Sequence, residues 1–218
     1  YKNVRYKLPA VTLSGATEGS PAEGDIWYDS GKFYLGTSQS FSGAWSSGGN
    51  LATARRDLAG AGTQSAGLCA GGDTGSYVGT TEEYNGTAWS SGGSLITGHA
   101  ELGGCGTQTA GLVMGGTPSA SDEDTEEYDG SSWSTGGDLA SGRNRLAACG
   151  TQTAGLCMGG AHGGSVSNVT EEYNGTAWSS GGNLGTARQT LAGAGTQTAG
   201  LCMGGSTDPT RQVVTEEY

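Results

Sequence analysis

One unit is copied four times along this chain of 218 residues. The string TEEY starts at Thr81, Thr125, Thr170 and Thr215, at spacings of 44, 45 and 45 residues. Between these lie GTQSAGLCAGG from Gly62, GTQTAGLVMGG from Gly106, and GTQTAGLCMGG from both Gly150 and Gly195. A unit this short cannot bury its apolar face alone. The period therefore predicts one supersecondary element packed repeatedly against copies of itself.

Each unit reads as four short strands, because β-prone stretches alternate with clusters of Gly, Asn, Asp and Ser. Strand a holds Leu58, Leu102, Leu146 or Leu191, and strand b holds Leu68, Leu112, Leu156 or Leu201. TEEY forms strand c, and the tryptophan that follows it marks strand d. The dipeptides Asn85-Gly86, Asp129-Gly130 and Asn174-Gly175 between c and d suit a two-residue hairpin with positive φ at both central positions. Glycine supplies 44 residues, a load that would favour disorder if the apolar positions were not periodic. Strands a and b are mostly Gly, Ala, Cys and Leu, whereas c and d carry Tyr and Trp. Such sheets are thin at one edge and thick at the other, and wedges pack around an axis.

The double glycine closing strand b, the tyrosine ending strand c and the tryptophan of strand d resemble the kelch motif. They are Gly71, Gly72, Tyr84 and Trp89, then Gly115, Gly116, Tyr128 and Trp133, then Gly159, Gly160, Tyr173 and Trp178. Arg55, Arg143 and Arg188 enter strand a as in kelch repeats, and His99 departs from that pattern. The resemblance covers residues 41–218 and implies an all-β fold, a small kelch-type β-propeller. Tyr218 ends a strand c without its tryptophan, while FSGAWSSGGN from Phe41 carries a lone strand d with Trp45. Pairing of the two would give four blades with the last closed by both termini, removing exposed edges. Five blades are one alternative, with residues 24–45 adding a partial blade, and a longer array that continues past Tyr218 is another.

Residues 1–40 stand outside the repeat as an attachment segment with a β-hairpin. Their stretch SPAEGDIWYDSGKFYLG resembles hairpins of bacteriophage tail fibres and related virion appendages; a plain hairpin built on Trp27, Tyr28, Phe33 and Tyr34 is the other reading.

The formal net charge of −11 repels a phosphate backbone, so nucleic acid is excluded as an expected partner. No run of about 18 apolar residues occurs, and YKNVRYKLPA lacks the apolar core of a leader, so neither membrane insertion nor a secretory leader is expected. Of the five cysteines, Cys69, Cys157 and Cys202 share one repeat position with Val113, and Cys105 and Cys149 share another with Ala61 and Ala194. Exchange with valine and alanine marks small buried hydrophobes rather than disulfides or metal ligands.

Catalytic constellations are not evident. His99 and His162 occupy unrelated repeat positions. The pairs Glu82-Glu83, Glu126-Glu127, Glu171-Glu172 and Glu216-Glu217 point to opposite sheet faces and cannot clamp one ion. One Glu of each pair is expected to face Arg55, Arg143 or Arg188, the other to face water. The run Asp122, Glu123, Asp124 does not have calcium-loop spacing and reads as a solvated loop. Asn85, Asn168 and Asn174 begin sequons, two of which the turn already explains. A copper radical oxidase, which shares the kelch propeller, would need a Tyr/Cys/His cluster. No enzyme and no cofactor are expected.

Variation is concentrated in the loops between strands b and c: DTGSYVGT from Asp73, TPSASDED from Thr117, AHGGSVSNV from Ala161 and STDPTRQVV from Ser206. A constant scaffold presenting divergent loops is a common way to build a binding surface, and the kelch resemblance gathers these loops around one mouth. The candidate contacts are Tyr77, Asp122, Glu123, Asp124, His162, Asp208 and Arg211. The resemblances imply a non-catalytic structural protein of a bacteriophage virion, a tail fibre, decoration or receptor-binding propeller. It would be homo-oligomeric, with other virion proteins or a host-surface receptor or glycan as partners. The alternative is a bacterial extracellular lectin-like module.

Overall fold

The computed structural model describes residues 26–29, 32–35, 44–118 and 123–218. The chain divides into two compact units, Tyr1–Ser46 and Ser47–Tyr218. In the first, β1 (Ile26–Asp29) and β2 (Lys32–Leu35) form an antiparallel hairpin in which Trp27 opposes Tyr34 and Tyr28 opposes Phe33.

The second unit is a four-bladed propeller of small antiparallel sheets, and the described residues contain no helix. Blade 1 is β3 (Ala59–Thr63), β4 (Ala66–Ala70), β5 (Thr81–Tyr84) and β6 (Trp89–Ser91), in that spatial order. Blade 2 repeats it with β7 (Gly103–Thr107), β8 (Ala110–Met114), β9 (Thr125–Tyr128) and β10 (Trp133–Thr135). Blade 3 has β11 (Ala147–Thr151) and β12 (Ala154–Met158), then β15 (Thr170–Tyr173) and β16 (Trp178–Ser180). Its b to c loop carries an extra two-stranded ribbon, β13 (Ala161–His162) and β14 (Ser165–Val166). Blade 4 contains three strands: β17 (Ala192–Thr196), β18 (Ala199–Met203) and β19 (Thr215–Glu217).

The innermost strands β3, β7, β11 and β17 lie side by side in that order. Their small residues permit it, since Gly104 so closely faces its neighbour that a Cβ there would lie 2.8 Å from that of Ala59. One layer out, each strand-b leucine covers a glycine of the next blade. A Cβ on Gly111, Gly155 or Gly200 would lie 2.5, 2.8 or 2.6 Å from a methyl of Leu68, Leu112 or Leu156. Leu112 and Leu156 are 0% exposed, and complete burial of one such side chain contributes roughly 1.5–3 kcal/mol. Polar ties repeat around the same interface. The Gln108, Gln152 and Gln197 amides each donate to two backbone carbonyls of the preceding blade, at 2.7–3.0 Å. Trp133 and Trp178 donate to Thr81 and Thr125 at 2.9 Å.

The glutamate pairs divide their work between the two sheet faces. In three of the four pairs the first glutamate meets the buried arginine as expected: Arg55 with Glu82, Arg143 with Glu171 at 2.6 Å and Arg188 with Glu216 at 2.8 Å. The same carboxylates accept N–H groups from the incoming d to a loop, at Ala52, Ala140 and Gly185. The second glutamate is not simply solvated. It accepts the tyrosine hydroxyl of the next blade, from Tyr128 to Glu83, Tyr173 to Glu127 and Tyr218 to Glu172, because the outward-facing strand-c position lies against the next blade.

Two further expectations need correction. In the c to d turn only the glycine has positive φ (91° at Gly86), and it takes the first central position, as in type II′ turns. Asn85 stands before it and accepts the Thr87 and Ala88 N–H groups through Oδ1. Closure by a terminal strand is not seen among the described residues, where residues 44–50 hold no strand and blade 4 has three strands. Among the described residues Ala192, Ala194 and Thr196 of blade 4 are exposed and Leu201 is half-buried.

The five cysteines are buried free thiols, and burial pushes Cys105 up to about 12. Arg143, 0% exposed, donates to both Glu171 and the Cys157 sulfur. Replacing Arg143 by Met strands the buried Glu171 carboxylate, and a loss of about 3–5 kcal/mol is expected in urea unfolding. Arg143→Met with Glu171→Gln should recover part of it, and an unchanged midpoint in the single variant would contradict this reading.

Candidate functional site

The site grows from the backbone rule at the end of strand b. Gly71 and Gly72 have φ of 70° and 113°, and a Cβ on Gly71 would lie 2.6 Å from the His99 carbonyl oxygen. Only glycine fits so close an approach at positive φ. The double glycine turns the chain under the d to a loop, where Gly72, Gly116 and Gly160 donate to the carbonyls of His99, Arg143 and Arg188. The b to c and d to a loops are thereby locked together on one face of the propeller.

On that face the backbone is constant and the side chains are not. Isolated bridges join Arg56 to Asp73, Ala100 to Thr117, Asn144 to Ala161 and Gln189 to Ser206, one per blade. The next residue in each blade is Asp57, Glu101, Arg145 or Thr190, all with φ between 52° and 58°. Left-handed backbone at four equivalent non-glycine residues is unusual and held by tertiary structure. What holds it is a hydrogen-bond string from blade to blade, with Glu101 N–H to Asp57 O, Arg145 to Glu101 and Thr190 to Arg145, each 2.8 Å. Charge gathers around this string. Arg145 pairs with Glu101 at 2.8 Å and Arg56 with Asp73 at 2.5 Å. The Arg145 pKa is raised, first by the Glu101 hydrogen bond against some burial, with Asp57 and Asp208 adding to the field. Asp73 is lowered, chiefly by the Gly75 N–H and then by Arg56.

Sequence reasoning named the loops but missed these axial columns. The signal was present: between otherwise identical repeats, the two residues before the strand-a leucine read Arg-Asp, Ala-Glu, Asn-Arg and Gln-Thr. Of the named contacts, Asp208 and Arg211 come together, lining a cavity of about 580 Å³ with Gln189, Thr190 and Ser206. Tyr77 is exposed at the tip of the blade 1 loop. His162 sits on the blade 3 ribbon with Nδ1 2.5 Å from the Gly142 carbonyl oxygen. The Glu123 carbonyl accepts the Leu139 N–H, and Asp124 lies 3.8 Å from His99. Asp122 falls outside the described residues. Tyr77, His162 and the Asp208/Arg211 pair belong to different blades and do not share the cavity. Among the described residues no group of three or more His, Cys, Asp or Glu could hold a metal ion.

Blade 2 differs from its neighbours at the base of this face. His99 takes the arginine position, with Nδ1 3.3 Å from the Gly115 carbonyl oxygen, and Glu126 is left to the N–H groups of Ile96 and Thr97. Burial raises the Glu126 pKa, whereas Glu82, also desolvated, is brought below the usual range by Ala52 N–H and Arg55.

No protein-family model matches the chain, and no curated protein matches it.

A carboxyl with a raised folded pKa binds its proton more tightly folded than unfolded. Its stabilisation is full below the ordinary glutamate value of ~4.3 and is lost as pH rises through the folded value. Glu126→Gln should therefore be more stable than the parent at pH 7, with the advantage shrinking as pH falls through the raised folded value towards ~4.3 and no further change below it. Melting curves from pH 3 to 8 check it, and a difference independent of pH would contradict it.

Proposed function

We propose that this chain is a non-catalytic binding propeller of the kelch type, a virion appendage whose loop face recognises a polar ligand on a host surface. The observation that carries the binding half is the contrast on one face: glycine turns and a blade-to-blade hydrogen-bond string fix the backbone. Meanwhile Asp57, Glu101, Arg145, Thr190, Asp208 and Arg211 differ in charge and shape at or beside equivalent positions. Alternating carboxylates and guanidinium groups suit hydroxyl-rich or zwitterionic ligands, which both accept and donate hydrogen bonds. The arginine, double-glycine, tyrosine and tryptophan positions support the kelch assignment. The appendage half rests on the GDIWYDSGKFYLG resemblance.

An array of bacterial surface glycans, probed with the purified chain, tests the binding half. The parent is expected to bind, and the Glu101→Gln/Arg145→Gln variant to bind at least tenfold more weakly at an unchanged melting temperature. Equal binding by both proteins would move the site off this face. For the appendage half, mass spectrometry of what co-purifies with the native protein is expected to return other virion proteins. Recovery of glycan-binding monomer free of any particle would favour the extracellular lectin-like reading instead.

A further inference from the structure

On the loop face one row of side chains departs from its counterparts. Beyond strands a, b and c of blade 1, antiparallel bridges bring Arg56 opposite Asp73 and Asp73 opposite Tyr77. Residues directly opposite one another project from the same side of a sheet, so a guanidinium, a carboxylate and an aromatic ring stand side by side. The equivalent row reads Asn144, Ala161 and Val166 in blade 3 and Gln189, Ser206 and Arg211 in blade 4. Among the described residues, only the row of blade 1 holds an aromatic ring, and that ring is 46% exposed. Beside it passes the d to a loop that enters blade 2. The Leu95 N–H donates to the Gly79 carbonyl at 2.8 Å, and a Cβ on Gly98 would lie 2.8 Å from the Tyr77 carbonyl oxygen. That loop carries Ile96, 60% exposed, where the equivalent residues, whose N–H groups also meet the first glutamate, are Ala52, Ala140 and Gly185. Large apolar side chains are thus added, in exposed positions, at one corner of a unit that is otherwise copied. The polar groups of the row are held in place: Asp73 accepts the Gly75 N–H at 2.7 Å through Oδ1 and the Arg56 guanidinium at 2.5 Å through Oδ2. A carboxylate keeps further lone pairs and a guanidinium further N–H groups after such bonds, and the Arg56 side chain is 76% exposed.

We propose that this corner is a subsite for one uncharged pyranose residue, whose apolar face stacks on the Tyr77 ring beside Ile96 while Asp73 and Arg56 take hydroxyl groups at its edge. The inference rests on the reading of the loop face as a binding surface and gives that surface a ligand class. A pyranose carries C–H groups on its faces and hydroxyls around its rim. It therefore matches an aromatic ring, whose electron-rich face attracts polarised C–H groups, set next to both a fixed acceptor and a fixed donor. Arg56 and Asp73 neutralise each other, which selects an uncharged sugar over an acidic one. Two exposed apolar side chains make too small a patch for a protein partner, since a stable interface takes about 800 Å² from each side.

Nuclear magnetic resonance of the full chain with isotope-labelled tyrosine tests the subsite, the Tyr77 ring signal being identified by its loss in Tyr77→Leu. The probes are methyl glycosides of the common uncharged hexoses, glycerol, which has hydroxyls and no apolar face, and N-acetylleucinamide, which has apolar groups and no hydroxyls. At least one glycoside is expected to shift the Tyr77 ring signal saturably, and neither of the other probes to do so. Read from the backbone amides of Gly75 and Thr97, its affinity should fall at least about tenfold in Tyr77→Ala and stay within about threefold in Tyr77→Phe, both at the parental melting temperature. Glycosides that shift signals of Glu101 and Arg145 but leave Tyr77 unmoved overturn the subsite and leave the loop face as the binding surface. Glycosides that shift nothing on the loop face overturn both readings. A Tyr77 signal that answers to N-acetylleucinamide and not to the glycosides marks a peptide contact and contradicts the proposal.

Discussion

The structure depends on a leucine of one blade lying on a glycine of the next. Without a side chain at Gly111, Gly155 and Gly200 the methyl groups of Leu68, Leu112 and Leu156 reach the neighbouring backbone. Interiors pack as densely as organic crystals, so this fit admits little variation. It also explains the composition. The inner strands surrender nearly all side-chain volume to let four sheets converge, and the outer strands regain it with tilted Tyr–Trp pairs whose centroids lie 4.8–5.0 Å apart.

Upon this packing sits a polar scaffold that reaches the loop face. The first glutamate of each pair ties a d to a loop to its blade, the second ties the blade to its neighbour, and the buried arginine supports the b to c turn. Tyr128 and Tyr173 are pushed up to about 12, first by burial and then by the hydrogen bond each donates to a glutamate, so they remain donors across the neutral range. Loops anchored in this way can change their side chains without changing their path. The ribbon of blade 3 and the Asp208/Arg211 cavity of blade 4 show how differently equivalent positions are used.

Much of this was legible because the signals were local and repeated. The 44 to 45 residue period gave the blades, the glycine load gave the thin edge, and strand alternation separated Glu82 from Glu83. Substitution of valine or alanine for cysteine at equivalent positions marked the buried thiols. The remainder depended on relations between blades, which a pattern within one unit does not contain. The hydroxyl partners of Glu83, Glu127 and Glu172 come from the next blade, and the Asp57, Glu101, Arg145, Thr190 string exists only when blades are side by side. The Trp45 segment, matched to Thr215 to Tyr218 by motif alone, forms no strand among its described residues.

The central claim is that glycine beneath leucine holds the blades together, and Gly155, between the two middle blades, is the place to measure it. Equilibrium unfolding of Gly155→Val is expected to show a loss of about 1–3 kcal/mol or more through overpacking against Leu112, with blades 1 and 2 no longer melting together with blades 3 and 4. Parental stability and a single transition in that variant would contradict the account.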